Sequence, residues 1–142
     1  MHDLYLGALD NAGRWHTPPA GLSYAVVYAS GSRSLAQLEK RAHCNGVEPV
    51  DQALLRLDLA DGASLLDARS LGLKRAWRAH ETHTRSFGDH WFTRRMSLGL
   101  WVPSCVEPRE RNLLLNPGHA QYDSHVKVVV EEHEFRFDPR MF

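Results

Sequence analysis

The sequence predicts an α+β domain, and three observations carry that prediction. "YAVVYA", Tyr24–Ala29, is rich in β-branched and aromatic residues and lies between Gly21 and Gly31, so it reads as a buried strand. "SLAQLEKRAH", residues 34–43, follows at once with Leu35, Leu38 and Ala42 at helical spacing. Further strand-like runs come later without the regular alternation of a doubly wound sheet.

The elements can be taken in order. Leu4–Leu9 reads as a short strand, closed by turn chemistry at Thr17-Pro18-Pro19, where proline cannot serve a central strand. After the Tyr24–Ala29 strand, Ser32 or Ser34 can cap a helix that runs to about Cys44. Leu54–Leu59, "LLRLDL", partly alternates and suggests a strand. Leu73–Arg85 is basic and reads as helical, and Gly88–Arg95 as a further turn or two of helix. Leu98–Val102 is a short apolar strand stopped by Pro103. Val126–Val130 and Glu134–Phe137 finish the chain as two strands, with Phe135 and Phe137 on one face and Arg136 on the other.

The 142 residues favour one compact domain over residues 1–142, and 43% hydrophobic residues suffice for a core. Lys+Arg and Asp+Glu are both 17, a balance that argues against a dedicated nucleic-acid binder. No run of 18 apolar residues and no signal-peptide pattern occurs, so the expectation is a soluble cytoplasmic protein with no membrane partner. Cys44 and Cys105 lie far apart with no CxxC, which favours free thiols.

Most familiar motifs fail their spacing tests. "HETH", His80–His83, is one residue short of the zinc-protease HExxH and has no third ligand in view, so no metal site is expected. There is no GxSxG, GxGxxG or GxxxxGK[ST]. The basic run Lys74, Arg75 and Arg78 fits a solvated helix face. Three residues stand out instead. Arg14, in "GRWH", offers a planar fork suited to phosphate or carboxylate, or to a core carboxylate. Tyr28 ends an apolar strand, where its ring can stack on a flat substrate or fill the core. Glu39 sits four residues after Leu35, on the flank of the apolar stripe; it can reach chemistry, snorkel to the helix edge, or pair with His43.

Read together, "GRWH", "VVYAS", "SLAQLEKRAH", "LWVPSCVEPRERNLLLNPGHAQY" and "FRFDPRMF" occur in an order that resembles the RES domain, the toxin of RES–Xre toxin–antitoxin modules. The resemblance runs from about Gly13 to the C-terminus. The Arg, Glu and Ser that name the family match Arg14, Glu39 and Ser104. His16 stands where many relatives carry Asn, and the segment from Pro18 to Tyr24 is longer than their usual turn.

The resemblance implies an ADP-ribosyltransferase-like fold with a split, curved β core and flanking helices. It implies consumption of NAD as substrate, with no resident cofactor, by hydrolysis, phosphorolysis or ADP-ribosyl transfer to a protein such as phosphoribosyl pyrophosphate synthetase. The implied partner is an Xre-type helix-turn-helix antitoxin, with no direct contact to nucleic acid. Glu39 would stabilise the oxocarbenium-like ribose or orient a hydroxyl, and Arg14 would hold the pyrophosphate or adjoining ribose. Tyr28 would stack on nicotinamide and Ser104 would donate to a phosphate or ribose oxygen. Asn116 would add a polar contact or fix the turn before Pro117. His43 would hold the Glu39 carboxylate in place. The alternatives are a catalytically weak binding module acting through its antitoxin partner and a zinc hydrolase built on the histidines.

Overall fold

The computed structural model describes residues 3–142. Its strands fall into two sheets rather than one. Four of them form the first sheet, in the order β1 (Val27–Ser30), β5 (Arg111–Leu115), β4 (Gly99–Pro103), β3 (Leu65–Asp67), with only the β3–β4 pair parallel. The remaining two, β2 (Gln52–Leu59) and β6 (Val126–Phe135), pair antiparallel as a separate ribbon. The α+β expectation and its split β core both hold.

Each face of the four-stranded sheet carries its own core. On one face Val26, Leu100, Val102 and Leu114 pack with Trp15, Trp77 and Trp91. That face is covered by α3 (Glu81–Thr93) and the 3-10 turns Ala68–Leu71 and Trp77–Ala79. On the other face Val27, Leu98, Leu113, Leu115 and Tyr122 meet Leu57, Leu59 and Val126 of the ribbon. Side chains alternate along a strand. Tyr28 pairs with Leu114 and Ser30 with Asn112, so these four share the tryptophan-covered face.

α2 (Arg33–His43) is capped as expected: Ser32 Oγ accepts from the Leu35 amide at 3.1 Å. Its buried face is not the expected stripe. Leu35 is fully buried, but Leu38 is 39% exposed and Ala42 is exposed too. The inward face holds Leu35 and, one turn on, half-buried Glu39. One isolated leucine anchors the helix, and the carboxylate points inward beside it.

Several boundaries differ from expectation. The Leu4–Leu9 strand is instead helical, α1 (Leu6–Asp10). The Ala8 and Leu9 amides close back on the Tyr5 carbonyl, and no sheet edge pairs with this run. The helix expected over Leu73–Arg85 breaks into the Trp77–Ala79 turn and the start of α3, because Trp77 must reach the core against Trp15. The last two strands are one. Glu131 and Glu132 look like a break in sequence, but Arg33 and Arg56 pair with them, and β6 continues past them with a slip of register against β2 at Glu131. β3 and β5 were not expected as strands; β5 became the centre of the sheet beside β4. α4 (Tyr122–His125) leads into β6.

Candidate active site

Glu39 is the centre of the most organised polar cluster. Its Oε1 accepts from Ser104 Oγ at 2.6 Å and from Asn112 Nδ2 at 2.6 Å. No described residue donates to its Oε2. Ser104 lies just beyond β4 and is fully buried. Its oxygen also accepts from the Val106 and Glu107 amides, each at 3.1 Å. A serine hydroxyl has one proton and two lone pairs. Both lone pairs are taken by backbone, so the single proton goes to Glu39.

Tyr28 lies on the same sheet face, two residues before Ser30, the cross-strand partner of Asn112. That places it about 7 Å further along the strand. Its ring is 42% exposed while its hydroxyl is pinned. The oxygen accepts from the Trp15 amide at 3.3 Å and bonds His16 Nδ1 at 2.7 Å. His16 Nε2 lies 3.0 Å from the Ala8 carbonyl. A carbonyl only accepts, so in the neutral ring the proton sits on Nε2 and Nδ1 receives the Tyr28 proton. Burial of the phenol raises the Tyr28 pKa, which keeps it a donor.

The segment carrying Arg14 is laid along α3. Arg85 Nε donates to the Gly13 carbonyl at 3.1 Å, and Thr84 Oγ1 donates to the Arg14 carbonyl at 2.7 Å. The Thr17 amide and hydroxyl both donate to Asp89, at 2.7 and 2.6 Å. Between them Gly88 lets the backbones touch; a Cβ there would lie 1.8 Å from the Trp15 carbonyl oxygen. A Cβ on Gly13 would lie 2.5 Å from the Tyr28 hydroxyl. Arg14 Nη1 donates to the Arg78 carbonyl at 3.2 Å, with Glu81 at 4.0 Å, and the side chain keeps a quarter of its surface open.

A carboxylate held at one oxygen and an exposed tyrosine on the same sheet face, with the Gly13–Trp15 backbone against that tyrosine's hydroxyl, suit a substrate with a flat base and a sugar. Comparison with known proteins gives the chain a family. The family model described as "RES domain" matches residues 1–138. The chain belongs to the RES domain family. It is 34% identical over 140 residues to the "Prs ADP-ribosylating toxin" of Sphingobium sp. (strain YBL2), covering 95% of this chain and 83% of that protein. It is 37% identical over 140 residues to a "Toxin Res" of Pseudomonas putida, covering 96% and 90% of the two chains. A "Toxin Res" of Yersinia enterocolitica is 32% identical over 138 residues, with 95% and 87% covered.

Within this RES domain, the expected residues divide. Glu39 and Ser104 meet directly; Tyr28 is tied to the Arg14 segment through the Trp15 amide, while the Arg14 guanidinium itself turns to the Arg78 carbonyl and Glu81. Ser104 is buried beside the carboxylate and gives its one proton to Glu39 rather than presenting it to open space. For Asn116 the hydrogen bonds are those of the turn-fixing alternative. It is buried, its Nδ2 donates to the Phe92 carbonyl and its Oδ1 accepts from the Gly118 amide, each at 2.9 Å. It fixes the turn, about 13 Å along β5 from Asn112. His43 is exposed, and its Nδ1 bonds the Glu39 backbone carbonyl at 2.7 Å, not the carboxylate. The rings of "HETH" are turned to backbone: His80 Nδ1 bonds the Ala76 carbonyl and His83 Nε2 accepts from the Lys74 amide. Among the described residues, no group of three or more His, Cys, Asp or Glu is placed to hold a metal ion.

Sequence reasoning missed Asn112, Thr84, Gly88 and Asp89. Asn112 carried a signal: a poor strand former at the head of the apolar run Leu113–Leu115. Gly88 carried another, a glycine inside a helical stretch, which marks close backbone approach.

Proposed function

We propose that this chain is a toxin enzyme that breaks the nicotinamide–ribose bond of NAD, and that an Xre-type antitoxin with a helix-turn-helix domain restrains it in the bacterial cytoplasm. The observation that carries the reading is the Glu39 carboxylate, clamped at Oε1 with Oε2 left unbonded on the face that exposes the Tyr28 ring. Cleavage sends the electron pair of the C1′–N bond to the nicotinamide nitrogen, which leaves neutral. The ribose then carries oxocarbenium character. A fixed negative oxygen close to that carbon favours the transition state over the ground state. No strong general acid is needed for a neutral leaving group, so one carboxylate suffices.

Tyr28 would stack on nicotinamide, with its hydroxyl held off by Trp15 and His16 so that the ring keeps one orientation. Arg14 would take the pyrophosphate by charge-assisted bonds. NAD is the substrate and no resident cofactor is invoked. The acceptor of ADP-ribose is a nucleophile that loses its proton on attack. The name of the Sphingobium relative supports a protein acceptor, phosphoribosyl pyrophosphate synthetase, for this chain as well. Incubation with NAD, alone, with phosphate and with that synthetase, separates the outcomes by mass spectrometry. Nicotinamide release is expected from the parent and lost in Glu39→Gln. A folded Glu39→Gln protein that releases nicotinamide at the parent rate would overturn the reading.

A further inference from the structure

Asn112 is an odd residue for its place. It sits in the central strand β5, between Ser30 of β1 and Val102 of β4, where β-branched or aromatic residues are favoured. Its neighbour Arg111 turns to the opposite face, over the Trp101 ring and onto Asp67. Asn112 therefore faces Glu39. Its carbonyl oxygen Oδ1 is buried with no hydrogen-bond partner among the described residues. Burying an amide oxygen unpaired costs stability. The side chain recovers only one bond for that cost, Nδ2 to Glu39 Oε1 at 2.6 Å.

We propose that Asn112 is a positioning residue of the RES reaction: with Ser104 it fixes Glu39 Oε1 and so turns Oε2 toward the ribose. Two donors of different origin meet on one oxygen. Ser104 comes from the end of β4 and Asn112 from β5, so the carboxylate is held against both adjacent strands and cannot swing about its last bonds. Each donor is neutral. They orient the charge without cancelling it, as an arginine would, and the free oxygen keeps its charge for the cation forming at C1′. Neither donor touches substrate. This inference rests on the proposed cleavage of NAD, but the clamp itself can be tested without turnover.

Kinetics of nicotinamide release and NMR of the amide group test the two parts. In Asn112→Ala, kcat is expected to fall about tenfold, with the KM for NAD unchanged within about twofold. Asn112→Asp keeps the volume but replaces the donor by a second carboxylate facing Glu39. Its kcat is expected to fall further, by about a hundredfold or more at neutral pH. A packing role would give the reverse order, with the isostere milder than alanine. That reversal, or a loss in KM with kcat intact, would overturn the proposal. In 15N spectra one Asn112 side-chain amide proton is expected well downfield of its partner in the parent, and to return toward the ordinary range in Glu39→Ala. Side-chain signals that ignore Glu39→Ala would refute the clamp even if no NAD is consumed. A clamp seen by NMR in a protein that leaves NAD intact would instead refute the cleavage reading and leave the clamp standing.

Discussion

Replacing Ser104 by alanine separates two roles for the serine, one behind the carboxylate and one at the substrate. The substitution deletes three hydrogen bonds at a fully buried atom: the donation to Glu39 and the acceptances from the Val106 and Glu107 amides. Water can reach half-buried Glu39 and replace part of the first. The two amides form the turn beyond β4 and lose their acceptor. At about 1–2 kcal/mol for each orphaned amide, the expected destabilisation is about 2–4 kcal/mol. For a domain of this size that lowers Tm by about 10 °C. The remaining donor, Asn112, leaves Oε1 held from one side only, so kcat for nicotinamide release is expected to fall about tenfold. KM for NAD should stay within about twofold, since a buried hydroxyl whose proton is already given away makes no contact with ligand. Thermal denaturation followed by circular dichroism, and initial rates over a range of NAD, measure both. A variant with the parent's Tm and kcat but a much raised KM would refute this reasoning and return Ser104 to the substrate.

Asn116→Ala should behave in the opposite way: about 1–3 kcal/mol less stable, because the Phe92 carbonyl and Gly118 amide lose their partner, yet with nicotinamide release by the folded variant unchanged. Equilibrium urea unfolding beside the rate assay checks both halves. Burial raises the Tyr28 pKa above its ordinary value, so the folded state prefers the protonated phenol. Its stabilising contribution is complete below the ordinary tyrosine value of about 10 and is lost as pH rises from there through the folded value. An alkaline absorbance titration of the parent minus Tyr28→Phe should therefore show this phenol ionising above the ordinary range; a difference curve centred near 10 would contradict it.

The parts of this fold that local chemistry decides were readable in the chain. Ser32 ahead of "RSLAQLEKRAH" marks a helix start whatever surrounds it, and the β-branched "YAVVYA" does hold a strand, though β1 begins only at Val27 and Tyr24–Val26 lie before it. The parts decided by partners were not. Leu4–Leu9 has the composition of a strand, but it pairs with no edge of either sheet and closes its hydrogen bonds on itself. Glu131 and Glu132 break an apolar run on paper and are neutralised in space by arginines nearly a hundred positions earlier and 75 earlier. The site divides in the same manner. Glu39 was noticed because a carboxylate near a buried leucine is anomalous by itself. Asn112 becomes conspicuous only once β5 is known to be central and its carbonyl is seen to be orphaned. Arg14 and Tyr28 stood out by residue type and place in the chain, and Ser104 was taken from the family likeness alone. Which of them faces solvent and which stands behind the carboxylate is a matter of burial, and spacing along the chain does not encode it.

The way α2 is moored has its own outcome. Leu35 is its one buried residue; its other ties include Arg33 to Glu131 and Glu132 on the ribbon at one end, Glu39 to Ser104 and Asn112 in the middle, and Arg41 to the Met141 carbonyl and over the Phe142 ring at the other. The first of these is built of exposed charges, which dissolved ions weaken, while the leucine and the carbonyl contact are far less affected. Ionic strength thus acts on this molecule at two places, on the phosphates a ligand would bring and on the helix that aims Glu39. Buffer composition becomes a structural variable here, and rates gathered at different salt concentrations describe differently held carboxylates.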